Sequence, residues 1–173
     1  DNGSSLFDNG QWYAIGGGDG MECAIDYTNH MISYTTVYYG SIDRHYGTGN
    51  QGAIAGNGTN GIDEEGAWVT PFILDAKDPN TMFIGYKNVW RSRNVKNQSV
   101  SGVKWTKIST INTGNLSVLE QSPVNTDILY ASSGSSLYLS ANAQSDAPTW
   151  TNITSFLPSG SEITDLEAHP FEE

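Results

Sequence analysis

Apolar residues in this chain come in short runs broken by Gly, Asn, Ser, Thr and Pro, and no long stretch carries an apolar period of 3.6 residues. That pattern predicts short β-strands joined by polar turns rather than helices. In WVTPFIL (68–74) and LSVL (116–119), apolar side chains fall on both sides of an extended backbone. This suits a strand sandwiched between two layers. GGGDGMECAID (16–26) sets glycines and an aspartate ahead of an alternating run, as a phosphate loop, a calcium loop or a plain β-turn does. No helix pattern follows to supply the N-terminal amides that a phosphate loop uses, so the calcium and turn readings remain.

The strand pattern repeats. GAWVTPFILDAKDPNTMFIGYKNVWRS (66–92) and GNLSVLEQSPVNTDILYASSGSSLYLS (114–140) carry the same elements in the same order, followed by WTKIS (105–109) and WTNIT (150–154). Trp105 and Trp150 are 45 positions apart, and Pro123 and Pro170 are 47 apart. Units of about 40 to 50 residues with four short strands each are a β-propeller signature. ECAIDYTNHMISYTTVYYGSIDRH aligns as an earlier unit and SEITDLEAHP begins a later one. The expected fold is all-β, with about three and a half four-stranded blades cut from a larger propeller. The segments are a blade end (1–20), blades at 21–65, 66–110 and 111–155, and the start of a further blade (156–173). Asp26 corresponds to Asp75, so GGGDG reads as the turn entering a first strand, and both aspartates read as turn residues. Trp105 and Trp150 are expected to pack in the core.

Charge narrows the partners. A net charge of -11 with only 8 Lys and Arg leaves no basic face for nucleic acid or an anionic membrane surface. No run reaches membrane-spanning length, and DNGSS lacks the features of a signal peptide. The single Cys23 forms no intrachain disulfide and is expected to be a small buried hydrophobe. His30, His45 and His169 show no spacing that pairs them with it. An open array of blades exposes faces and edges, which favours association with the rest of a parent chain or with another copy.

These residues resemble the sortilin-like and glycosyl-hydrolase-like propellers with Asp-box (BNR-type) repeats, found in large secreted bacterial proteins. Trp12-Tyr13 followed by GGGDGMECAIDYTN, then YYGSIDR, GAWVTPFILD, the two WT-x-I strands and ITDLEAHP carry the likeness over nearly the whole chain. The Asp box reads Ser-x-Asp-x-Gly-x-Thr-Trp. Ser5, Asp8, Gly10 and Trp12 resemble it with altered spacing, while Ser92-Arg93-Asn94 and Ser140-Ala141-Asn142 begin it with Asn in place of Asp. The resemblance makes Asp8, Asn94 and Asn142 structural turn residues and implies a secreted or cell-surface location. Two-propeller xyloglucanases are more distantly similar. Over YTTVYYGSIDR, Tyr34, Gly40 and Arg44 match them, but Tyr38 stands where their catalytic Asp does. A phenol does not replace a carboxylate as acid or base at ordinary pH.

The resemblance therefore implies a noncatalytic module recognising glycan or protein, with a glycoside hydrolase of β-glucan or xyloglucan type as the alternative. For catalysis the candidate acids are Asp19 and Asp43; for Ca²⁺, the candidates are Asp19, Asp63, Glu64 and Glu65 in two acidic turns, whose alternative is plain solvated turns. HYGTGNQGAIAGNGTNGIDEEG (45–66) has the composition of a long loop, although GAIAG suits a short edge strand. Tyr38, Tyr39, Tyr46, Trp68 and Trp90 surround it in sequence. On one rim they offer a stacking surface for sugar rings; turned inward they are core.

Overall fold

The computed structural model describes residues 2–158, 160 and 162–172. The chain is all-β and its pairing is antiparallel throughout. A hairpin of β1 (Ser4–Asp8) and β2 (Gln11–Gly16) comes first. Three four-stranded sheets follow, each hydrogen-bonded in chain order. The first sheet holds β3 (Cys23–Ile25), β4 (Ile32–Val37), β5 (Ser41–Tyr46) and β6 (Gly49–Ala55). The second holds β7 (Phe72–Leu74), β8 (Met82–Gly85), β9 (Val89–Ser92) and β10 (Trp105–Lys107). The third holds β11 (Val118–Gln121), β12 (Leu129–Ser133), β13 (Ser136–Ser140) and β14 (Thr151–Asn152). Among the described residues no helix is long and apolar enough to cross a membrane.

Strand alternation sends side chains to both faces of each sheet, and the sheets stack through them. Tyr34, Ile42 and Ile54 of the first sheet share a buried cluster with Phe72, Met82, Ile84, Trp90 and Trp105 of the second. Phe83 and Val89, from the opposite face of the second sheet, share another with Leu119, Leu129 and Ala131 of the third. Neither face of the middle sheet is left to solvent, which is why WVTPFIL and MFIG read as continuous apolar runs.

The turns repeat in atomic detail. Between the first two strands of each sheet, one side-chain oxygen caps the chain two and three residues on. Asp26 Oδ1 accepts from Thr28 N–H and Asn29 N–H, Asp75 Oδ1 from Lys77 N–H and Asp78 N–H, and Ser122 Oγ from Val124 N–H and Asn125 N–H. After the third strand, Asn94 Oδ1 accepts from Lys104 N–H and Asn142 Oδ1 from Thr149 N–H, both at 2.8 Å. Each therefore pulls a long insertion back to its own start.

Three readings need correction. SSLFDNGQW closes as a two-residue hairpin in which Asp8 pairs with Gln11. Asn9 and Gly10 both have positive φ, 47° and 80°, the conformation an Asn-Gly hairpin turn requires. Cys23 is exposed. It lies on the first, edge strand of the first sheet, on the face that the small β1–β2 hairpin covers only in part. Within 45–66 the chain is largely ordered as β6, the fourth strand of the first sheet, rather than a long loop.

Candidate functional site

At the end of the stack where β4 turns into β5, Tyr38, Tyr39 and Gly40 form a single helical turn. The connection from β6 to β7 brings Trp68 against it. Tyr38 and Trp68 are stacked, with ring centroids 5.2 Å apart and planes 15° apart. Tyr39 meets both rings edge-on, at 5.4 Å from Trp68 and 5.6 Å from Tyr38. All three remain substantially open to solvent, at 43%, 41% and 50% for Tyr38, Tyr39 and Trp68.

The backbone beneath the cluster is cross-tied. Tyr39 N–H donates to Trp68 O, Gly66 N–H donates to Tyr39 O, and the Tyr86 hydroxyl donates to Gly40 O at 2.8 Å. Tyr39 adopts a left-handed conformation (φ 62°, ψ 22°) that costs a bulky residue on the order of 1 kcal/mol or more. Gly40 follows at φ 78°, where a Cβ would stand 2.6 Å from the Tyr86 ring. The turn is thus held in an unfavourable shape that presents two tyrosines side by side.

Glu64 anchors the connection that carries Trp68. Its carboxylate accepts from Asn88 N–H (3.0 Å), Asn88 Nδ2 (2.8 Å), Trp90 Nε1 (3.0 Å) and Lys107 Nζ (2.9 Å). Burial pushes the Glu64 carboxyl up, but the donors from Trp90, Lys107 and Asn88 outweigh it and hold the group below the usual range. Lys107 also lies 5.0 Å from the Trp90 ring centre and 3.3 Å from Asp63. Glu64, a candidate calcium ligand by sequence, therefore spends both oxygens on protein donors. Among the described residues no three His, Cys, Asp or Glu side chains converge to hold a metal.

The chain matches no known protein family, no curated protein and no solved structure.

The remaining candidates scatter. Trp90 is 4% exposed and packs between the first two sheets, so it belongs to the core and not to the rim. Tyr46 is exposed but ends β5, at the opposite end of that strand from Tyr38. Asp43 Oδ2 accepts from Asn50 Nδ2 at 2.7 Å, while its neighbour Arg44 points to the other face and is buried. Asp19 lies in the connection from β2 to β3, Asp63 is exposed and paired with Lys107, and Glu65 is exposed.

Sequence reading overlooked the cations. Arg44 donates to Val95 O and Asn97 O of the next sheet; Arg91 repeats this to Ala143 O and Ser145 O. Their spacing of 47 matches the repeat and was the available signal.

Proposed function

We propose that the stacked sheets are blades of a propeller-type array in a secreted or surface protein, and that this piece recognises polysaccharide without cleaving it. The cluster of Tyr38, Tyr39 and Trp68 carries this reading: three solvent-open aromatic rings held together by backbone ties at one end of the stack. Such rings offer apolar area to the C–H faces of a sugar while the two phenol hydroxyls and the flanking Asp63 and Glu65 stay available for hydrogen bonds. The net charge of -11 favours neutral over anionic polysaccharides.

The test is retention of the chain in affinity gels of neutral plant and microbial polysaccharides, with reducing-end release measured on the same panel. Trp68→Ala and Tyr38→Ala are expected to weaken retention by about tenfold or more, a loss of at least about 1.4 kcal/mol. Tyr46→Ala, at the far end, is expected to leave it unchanged. Release abolished by Asp19→Asn or Asp43→Asn would replace recognition with hydrolysis. Retention indifferent to all three aromatics would remove the platform from the binding surface.

A further inference from the structure

The stack has two unlike ends, and each carries half of the interface that joins the sheets inside it. At the C-terminal end, Tyr130 and Leu137 of the third sheet occupy the columns filled by Tyr34 and Ile42 in the first sheet and by Phe83 and Val89 in the second. In those inner sheets a following sheet covers the columns completely. On the third sheet only residues 163–170 follow. Ile163 N–H donates to Gly134 O just as Leu116 N–H, 47 positions earlier, donates to Tyr86 O. Leu166 then comes to Tyr130 and Leu137 as Leu119 comes to Phe83 and Val89. The segment thus lies where a first strand lies, and beside it a groove of about 260 Å³, lined by Ile128, Tyr130, Leu137 and Leu166, opens where further strands would pack.

At the N-terminal end the hairpin supplies the complementary half. GSSLF (3–7) repeats GSSLY (134–138), and WYAI (12–15) repeats WTKI (105–108) and WTNI (150–153). β1 and β2 are therefore third and fourth strands. Leu6, Tyr13 and Ile15 are half-buried on one face, and Ile15 approaches Thr35 and Val37 of the first sheet. The opposite face turns Phe7 and Trp12 outward, paired across the strands with ring centres 5.1 Å apart and exposures of 57% and 72%. In the inner repeats the matching side chains, Trp90 with Trp105 and Tyr138 with Trp150, are covered by the sheet before them. Phe7 and Trp12 have no such sheet.

We infer that the β1–β2 hairpin of one copy of this chain docks, through Phe7 and Trp12, into the groove of a second copy between its third sheet and residues 163–170. The contact continues the interface already built twice inside the molecule. It joins different surfaces, because hairpin and groove lie at opposite ends of the stack, so it closes rings or extends chains of copies. Glu120 and Glu167 at the groove add negative charge to an acidic protein, so association strengthens with added salt. The inference is independent of the aromatic platform, which lies on neither surface.

Sedimentation velocity of the full chain over a wide concentration range tests it. Concentration-dependent oligomers that grow with moderate salt are expected; a monomer throughout overturns the inference. Trp12→Asp and Leu166→Asp lie outside both buried clusters, and each is expected to keep the native circular dichroism and thermal midpoint while weakening association by more than about tenfold. Mixing the two variants decides the orientation, since the mixture keeps one intact groove and one intact hairpin. A heterodimer that grows no further is expected. Absence of that heterodimer, or oligomers undiminished by Trp12→Asp, overturns the docking.

Discussion

The interface between the first and second sheets and that between the second and third are built to one plan with one substitution. In both, an arginine on a third strand donates to two carbonyls of the next sheet. In both, the fourth-strand indole donates back to the preceding sheet, Trp105 to Ile54 O at 2.7 Å and Trp150 to Ile108 O at 2.8 Å. The difference lies at the turn carboxylate. Asp26 is buried and meets Lys96 Nζ at 2.8 Å. Its counterpart Asp75 meets only amides, from Gln121 and Gln144. Lys96 and Gln144 are equivalent, for their N–H groups bond Asn80 Oδ1 and Asp127 Oδ1 in the same way. The comparison shows that the joint requires a donor at this point, and that a full charge is optional. A buried ion pair gains Coulomb energy but loses hydration, so a neutral amide serves nearly as well.

The largest effect expected from breaking this plan comes at the arginines. Arg44→Ala and Arg91→Ala each strip two buried carbonyls of a charged donor and leave a void, and each should cost about 3 to 4 kcal/mol in urea unfolding. Equal losses would establish that the two joints are energetically alike; a loss below about 1 kcal/mol at either would show that water replaces the guanidinium there.

Acid should separate the joints next. Burial pushes the Asp26 carboxyl up, but Lys96 and Thr28 more than offset this and hold it below its ordinary 3.8. A depressed carboxyl contributes stability above its unfolded pKa and loses it as pH falls through the folded value, so this contribution disappears below about pH 4. His45 acts earlier. It is fully buried, its Nε2 lies 2.9 Å from Thr35 Oγ1, and its Nδ1 has no partner. Burial lowers its pKa from 6.5, with Asp43 opposing. The unfolded chain then takes up a proton that the folded one refuses, and stability falls as pH drops below about 6.5. Urea midpoints measured from pH 7.5 to 3 should decline in two stages. His45→Gln should flatten the first and Lys96→Met the second; a single stage unaffected by His45→Gln would remove the histidine from the account.

The smallest effect sharpens the comparison from the other side. Gln144→Lys rebuilds at Asp75 the pair that Asp26 has, and should change stability by less than about 1 kcal/mol while adding salt dependence to the second joint. A gain well above that, read from thermal unfolding at low and high salt, would show that charge is not optional.

Much of this was legible before folding. The alternation of WVTPFIL, the return of Asp26 as Asp75 and the two WT-x-I strands are all local signals, because a strand's period and a turn's side-chain cap are set by neighbours in sequence. Trp90 illustrates what was not. In a strand covered on both faces, alternation does not say which aromatic meets solvent, and Trp90 went inside while Trp68, in a connection, stayed out. Cys23 shows the converse, since a small apolar residue stays exposed when its partner layer is only a two-stranded hairpin. The Asn-Gly of SSLFDNGQW was a local signal too, overridden in reading by the likeness of its serine, aspartate and tryptophan to an Asp box.

By itself, then, the sequence determined the strands, their fourfold grouping, the repeat length and the turns that close each sheet. Only the tertiary structure decided that Tyr38, Tyr39 and Trp68 form one cluster, that Glu64 is an anchor for the Trp68 connection, and that Phe7 and Trp12 face outward opposite an apolar groove. Those outcomes depend on which residues of one sheet meet those of the next, some 25 to 50 positions away, and contacts at that separation leave no periodicity in the chain.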